Sequence, residues 1–554
     1  MTGYPSRWTK LLRPSSVWFD SDRPPPIYRR QLRVELLEDR SLPATLTPTT
    51  FADGGLGSGS LRDAVVQCNA DTGTADDTIQ LLPGTYSLTI RNVNGRHETA
   101  GLTGDLNLTQ TSHRWIIQGA GPSTIIDAGQ LQDRVFQIVN PGTHVVFQDL
   151  VIQGGLAQDD GMDGALAGFT DALGGGIFNN GGIITLDDVV LQNNVAQAGE
   201  VSGRFRPGYD AHGGGIYTIS GALTLSDSTL TNNQAMGGTG TVGGGPPCLV
   251  GGPGGAAQGG GLYSSGGALT ISDSTFSDDQ ATGGPGGPVG TPFCTSERGP
   301  GGPAQGGGLY VSGGALTILR DSLAKNEARG GLGDSPSQAT GGGLFNQATL
   351  QTDDTILADN TVTGLSTTSP DLAGDLGSLG YNLIGNTQGG TGFADTDLLN
   401  VDPLLGPLQN NGGPTETMVL LAGSPALNAG DPSQLGVPDQ RGVVRRGGVN
   451  IGAYQASAST FVLIAPDAIR AGVPFNLSVT AVDPFGQVAY GYTGTVTFAS
   501  DDSAAVLPGD YAFQPSDQGR AVFSVTLNTL GPVHLTVTDT ADNTVFAALD
   551  LIVL

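Results

Sequence analysis

The chain has 554 residues, of which 90 are glycine and only 14% are charged, and its formal net charge is −27. Residues 1–45 hold eight Lys or Arg against five Asp or Glu, which leaves the remainder at −30, a surface that repels nucleic acid and anionic lipid and favours cations and neutral or basic partners. The glycines keep no three-residue period, which excludes collagen, the apolar fraction of 38% is too high for outright disorder, and no apolar run approaches the length of a membrane span.

Residues 1–45 lack the apolar run of a signal peptide and read as an extended, disordered leader. Its end, RVELLEDRSLPAT (Arg33 to Thr45), is similar to a short N-terminal motif on large envelope and secreted proteins of certain bacteria, a resemblance that implies export. The segment from Gly57 to Leu88, with Ser60, Leu61, Arg62, Asp63 and Ala64 at its heart, resembles the CSLREA-type start of bacterial β-helix proteins. A short amphipathic helix there would cover the first rung and shield an open strand edge, so about 51–90 is expected to be an N-terminal cap.

Five repeats follow, opening on Gly triplets at Gly174, Gly213, Gly259, Gly306 and Gly341. Twenty positions on stand Asn194, Asn233, Asp279 and Asn326, and in the fifth copy, one residue shorter, Asn360. The stretches from there to the next triplet vary, at 18, 25, 26 and 14 residues. A constant unit with a variable insert at one corner is the pattern of a stacked repeat whose loops project into solvent. Ile216, Leu223, Leu225 and Leu230 are matched by Leu262, Leu269, Ile271 and Phe276, with a period of two that predicts short strands. Rungs stacked about 4.8 Å apart turn equivalent positions into ladders. The Asn194, Asn233, Asp279, Asn326, Asn360 column is read as a structural ladder. The column Asp188, Asp227, Asp273, Arg320, Asp354 is read as turn-capping rather than calcium-binding, since Arg320 interrupts it with the wrong charge.

From Trp115 to about residue 364 the chain resembles right-handed pectin-lyase-like β-helices. The triplets continue into Ile177-Phe178, Ile216-Tyr217, Leu262-Tyr263, Leu309-Tyr310 and Leu344-Phe345, openings similar to polymorphic outer-membrane-protein repeats. Residues 401–455 closely resemble the closing segment of choice-of-anchor Q proteins, with Asn450 and Gln455 where that family commonly has acidic residues, so charge pairing of this ending with Arg441 is not expected. After Ala458 alternating segments at sandwich spacing resemble immunoglobulin- or filamin-like modules of bacterial surface proteins. The expected fold is therefore all-β: a right-handed parallel β-helix (solenoid) over 46–455, capped at about 51–90 and 366–455, followed by a small immunoglobulin-like β-sandwich over 459–554.

Candidate chemistry is sparse. Asp159, Asp160 and Asp163 form the best carboxylate cluster, loosely calcium-like in spacing, and calcium is the one cofactor the sequence raises. Lys325 stands alone, and His97, His113, His144, His212 and His534 read as scattered surface or turn residues. Cys248 and Cys294 lie in equivalent inserts and are expected to form a disulfide. No catalytic residue is assigned. The expected function is that of a non-enzymatic, exported, adhesin-like protein of the bacterial cell surface or extracellular matrix. An extracellular polysaccharide or a surface protein would meet it at the inserts 198–212, 237–258, 283–305 and 330–340, because contact surfaces concentrate on loops held by a stiff scaffold. The alternative is an extracellular polysaccharide lyase or hydrolase. Neither a nucleic-acid partner nor a transmembrane segment is expected.

Overall fold

The structure is a computed structural model that describes residues 45–201, 203–243, 250–288, 298–335, 337–364 and 369–554. The expected disordered leader and both Cys248 and Cys294 lie outside the described residues. Pro43–Leu554 form one compact unit.

Each repeat becomes five short strands, two of which are merged into Ile183–Gln192 in the first copy. In the second copy these are Ala211–His212, Ile216–Thr218, Ala222–Ser226, Thr229–Thr231 and Gln234–Met236. Each pairs in parallel with its counterpart in the next copy, so Ala222 meets Ala268 and Thr229 meets Thr275 with no slip of register. Alternation turns Ile216, Leu223, Leu225 and Leu230 inward, where they are buried in one continuous core running from Leu61 to Ile384. These parallel stacks are an all-β parallel solenoid.

Two corner columns take left-handed backbone. One is Asp149, Asp188, Asp227, Asp273, Arg320 and Asp354, with φ between 48° and 61°, and the other is Asn193, Asn232, Asp278, Lys325 and Asp359, with φ between 54° and 64°. Asp and Asn tolerate that conformation best, which is why they recur at these corners. The Asp column is thus a column of turns, as its spacing suggests, and Arg320 shares the turn rather than interrupting it.

The interior narrows toward the inserts. Past the aliphatic core, a second core consists of alanines alone, including Ala196, Ala211, Ala235, Ala257, Ala281, Ala304, Ala328 and Ala339. The Gly triplets stand at this pinch. Gly213 takes φ +62°, while a Cβ on Gly214 would collide with the Gly260 carbonyl and the Gln234 backbone.

At the N-terminal end the helix Leu61–Ala70 buries Leu61, Ala64, Val65 and Cys68 against the first strands, and the Ser60 hydroxyl accepts the Asp63 N–H as its N-cap. Arg62 is fully buried and pairs with Asp53 at 2.9 Å while donating to the carbonyls of Gly101, Gly104 and Asp105.

The C-terminal segment differs from the expected cap. Leu372–Asp375, Ser378–Gly380, Leu383–Ile384 and Leu398–Leu399 do continue the stack. The chain then turns back and runs along the side of the rungs as a strap. Thr415 reaches the Asp227 carbonyl at 2.8 Å, Gln440 reaches Thr229 and Thr275, Ala453 reaches Ser322 at 3.1 Å, and Gly452 reaches Asp354 at 2.7 Å. Sequence likeness identifies the segment but carries no information about which surface it covers.

The last hundred residues form two antiparallel sheets around their own core, which fits an immunoglobulin-like module. One sheet holds Thr460–Ile464, Phe475–Val482 and Arg520–Val525, and the other holds Tyr511–Ala512, Thr495–Ser500, Gly531–Asp539 and Phe546–Val553. Arg441 joins the strap to this module and is charge-paired after all: it meets Asp439 at 2.9 Å and Asp483 at 2.6 Å, all three fully buried, and donates to the Gln455 carbonyl. The partners come from the loop before Arg441 and from the module, not from positions 450 and 455. Among the described residues no helix is long and apolar enough to cross a membrane.

Candidate functional site

The three candidate calcium ligands do not converge. Asp159 points inward and pairs with Arg134 at 2.7 Å, Asp160 accepts the Met162 N–H at its own turn, and Asp163 is exposed. Among the described residues the one donor set with metal-like spacing is instead His97, Asp133 and Asp159, all buried. Arg134 sits within it, 2.7 Å from Asp159, 3.3 Å from His97 Nδ1 and 3.6 Å from Asp105. The guanidinium already supplies the cation these carboxylates need, so the set reads as an internal ion cluster. His97 is correspondingly no surface histidine. Burial opposes its charge, yet Asp105 and Asp133 outweigh that and hold its pKa up at about 9. His113 is also buried, 3.1 Å from Asp77. Neither belongs to a repeat, so spacing offered no signal for them.

The Asn column is a ladder in the literal sense. Asn194 Nδ2 donates to Asn233 at 3.0 Å, Asn233 to Asp279 at 2.9 Å, and Asn326 to Asn360 at 3.0 Å, while the backbone N–H of Asn194, Asn233, Asp279 and Asn326 each donates to the side-chain oxygen of the next rung. The amides also close onto the core strand: Asn233 onto Leu191, Asn326 onto Phe276 and Asn360 onto Leu323. At Asp279 the matching donor is missing, Oδ2 is unpartnered and fully buried, and burial holds the carboxyl well above its ordinary pKa. Burial therefore favours the neutral form of Asp279 in the column. A second ladder of the same logic, Ser228, Ser274, Asp321 and Thr355, follows the Asp corner.

Outside the rungs, carboxylates gather along the strap. Asp273 is held by Arg320 at 2.6 Å and Arg445 at 2.9 Å, and Asp354 accepts the Asp431 N–H. Where the strap thins, burial and neighbouring carboxylates push Asp188 up to about 7 and Asp227 up to about 8. A cavity of about 210 Å³ is lined by Ile125, Val151, Val190, Gln192, Pro414 and Thr415 among others, and the same Thr415 donates to the Asp227 carbonyl. The aromatics after the triplets form a stack on another face: Tyr217, Tyr263, Tyr310 and Phe345 lie 4.8 to 4.9 Å apart with interplanar angles of 20° or less.

The described arms of the inserts are packed against one another, while residues 244–249 and 289–297 lie outside the described residues. Outgoing arms at 237–243, 283–288 and 330–333 lie in one layer, and returning arms at 206–209, 251–256 and 299–303 lie in another. Within the outgoing layer Gly237, Gly240 and Gly243 donate to Thr282, Pro285 and Pro288, and Gly283 and Gly286 donate to Arg329 and Leu332. Within the returning layer Gly208 donates to Pro253 and Gly254 to Pro300. Between layers the arms run antiparallel, Gly238 to Tyr209, Thr241 to Arg206, Gly255 to Gly238, Gly284 to Gly255 and Gly302 to Gly284, all these bonds being 2.7 to 3.0 Å. Donation to a given neighbour recurs every third residue and none is internal to an arm, the signature of polyproline-II-like helices packed side by side.

Glycine is required here for closeness. A Cβ on Gly254, Gly255 or Gly286 would collide with the carbonyl of Gly284, Tyr209 or Gly299. Sequence reasoning sought one period across the chain and missed a local one: Gly-Gly-Pro-Gly-Gly at 251–255 and 283–287, and Gly-Pro-Gly-Gly-Pro at 299–303. The third residue of each turn faces outward, leaving Pro207, Pro253, Pro288, Pro300 and Pro303 exposed.

Comparison with known proteins returns no matching family model, no matching curated protein and no matching solved structure.

Proposed function

We propose that the chain is a right-handed parallel β-helix bearing an immunoglobulin-like module, and that it works as a non-enzymatic, exported, adhesin-like surface or matrix protein. The observation that carries this reading is the insert bundle. The described arms of the four inserts are hydrogen-bonded to one another, with donation along a layer recurring every third residue, which orders this part of the surface before any partner arrives. The arginines and many of the carboxylates along the side are engaged with each other and with the strap.

A polysaccharide lyase or hydrolase is the second reading, favoured by one observation. Burial and neighbouring carboxylates push Asp188 up to about 7 and Asp227 up to about 8, which gives them the proton affinity of a general acid, and Thr415, which donates to the Asp227 carbonyl, lines the 210 Å³ cavity. Both readings meet in one experiment. The purified full chain is incubated with a panel of extracellular polysaccharides, with and without calcium, and assayed for co-sedimented protein and for new chain ends. Binding without new ends supports the adhesin-like reading. New ends that disappear in Asp188→Asn or Asp227→Asn replace it with the enzyme.

A further inference from the structure

The strap brings arginine to the Asp corner it covers. Arg445, from the strap, reaches Asp273 at 2.9 Å, and Arg320, from the corner column itself, grips both oxygens of the same carboxylate at 2.6 to 3.1 Å. The strap's hairpin, Leu405–Gln409 with Thr417–Leu420, ends in a tip whose Thr415 meets the Asp227 carbonyl. At Asp227 and Asp188 no cation arrives. Burial and other carboxylates alone act on them, Asp187 and Asp149 on Asp188, and Asp273, Asp188, Asp187 and Asp439 on Asp227. Among the described residues neither carboxylate gains a hydrogen bond or an ion pair.

The 210 Å³ pocket opens at the same boundary. Ile125, Val151 and Val190 form its floor as one paired column, Pro122 lines it, and Thr415 with the exposed Glu416 forms its strap side. The next residue of that column, Thr229, is already under the strap, bonded to Gln440 and to the Glu416 carbonyl. Asp149 and Asp188 stand two residues before Val151 and Val190, on the left-handed turns that lead into the floor. None of the described residues lining the pocket is Lys, Arg or His.

Size and charge select the occupant. The cavity holds one long side chain, its apolar floor suits an aliphatic stem, and the acidic surroundings suit a positive head. A divalent ion is a poorer match, because it needs carboxylate oxygens converging on one point, a spacing met among the described residues at His97, Asp133 and Asp159 instead. A guanidinium forks onto carboxylate oxygens, as Arg320 does on Asp273 in this same column.

We propose that this pocket is a docking site for an arginine side chain of a partner protein, presented on an extended segment that continues the path of the strap over the N-terminal rungs. It shares no residue with the inserts and gives Asp188 and Asp227 to charge pairing instead of acid catalysis, so it goes beyond the adhesin-like reading and stands or falls separately.

The full chain with methyl-labelled valines, titrated with the blocked peptide acetyl-Ala-Arg-Ala-amide and followed by NMR, tests this. The Val151 and Val190 signals should shift saturably, with Kd on the order of 1 mM for so small a probe. Norleucine in place of arginine keeps the stem and loses the head, and should bind at least about tenfold more weakly. A bound cation favours the ionised carboxylates, whose pKa values without it are about 7 and about 8, so affinity should rise from about pH 6 to about pH 8.5 and then level off. Asp188→Asn, which keeps a residue suited to the left-handed turn, should weaken binding at least about tenfold. Glu416→Arg, on an exposed side chain, should abolish binding with an unchanged melting temperature, and Asp163→Asn, exposed in another loop, should leave it unchanged. No saturable shift at these valines, equal affinity for the norleucine peptide, binding that survives both Asp188→Asn and Glu416→Arg, or the same shifts with calcium chloride in place of peptide overturns the proposal.

Discussion

The rungs and the insert bundle solve one problem in opposite ways. In the rungs, leucine, isoleucine and phenylalanine fill a side-chain core, and strand hydrogen bonds tie each copy to the next. In the bundle there is almost no side chain to bury; the arms approach until backbone meets backbone, and hydrogen bonds with close packing replace the aliphatic core. Between them lies the alanine core, the intermediate step as the two sides of the solenoid converge. Stability can thus come from filling space or from removing everything that keeps backbones apart, and one repeat does both within about forty residues.

Substitutions can break each half separately. The largest local effect is expected from Gly255→Ala, whose Cβ has no room beside the Tyr209 carbonyl. Hydrogen exchange should show amide protection in 237–243, 251–256 and 283–288 falling by about a hundredfold or more while rung strands keep theirs. Uniform loss across the chain would show that bundle and rungs are a single cooperative unit. Leu225→Ala, in the aliphatic core, should cost about 2–5 kcal/mol and lower the melting temperature of the rungs as a whole.

Asp279→Asn sharpens the comparison from the other side by completing the amide ladder, and should gain about 1 kcal/mol or more at neutral pH. Because the folded pKa of Asp279 is raised, its contribution is present below the unfolded value of about 3.8 and is lost as pH rises toward the folded value. The advantage of the variant should therefore be small in acid and grow with pH, measured as paired melting curves. An advantage independent of pH would mean the acid is not neutral in the ladder. The smallest effect is expected from Pro300→Ala, about 0.4–1 kcal/mol, by freeing the unfolded chain while the packed arm keeps its geometry.

What the sequence disclosed and what it withheld follow the same division. Strict spacing made the strands, the inward leucines, the Asp corner column and the Asn ladder readable, since each is a position recurring once per rung. The bundle escaped because glycine there serves proximity between segments far apart in sequence, and its three-residue period lasts only two turns at a time. Arg134 with His97, and Gln440 within the strap, occur once each; nothing in their neighbourhoods announces that they are buried, and only the folded path brings their partners to them. The carboxylate set was sought in a contiguous loop at Asp159, Asp160 and Asp163, whereas the structure draws its acidic partners from Asp105, Asp133 and Asp159 on separate strands and loops.

The strap has a mechanical consequence. A load applied to the terminal module reaches the strap through the chain itself, through Arg441 held between Asp439 and Asp483, and through Arg446 with Asp542, and passes into a segment bonded side-on to the rungs at Asp227, Thr229, Thr275, Ser322 and Asp354. Tension is then shared in shear across several rungs, instead of peeling the last one from the stack one hydrogen bond at a time.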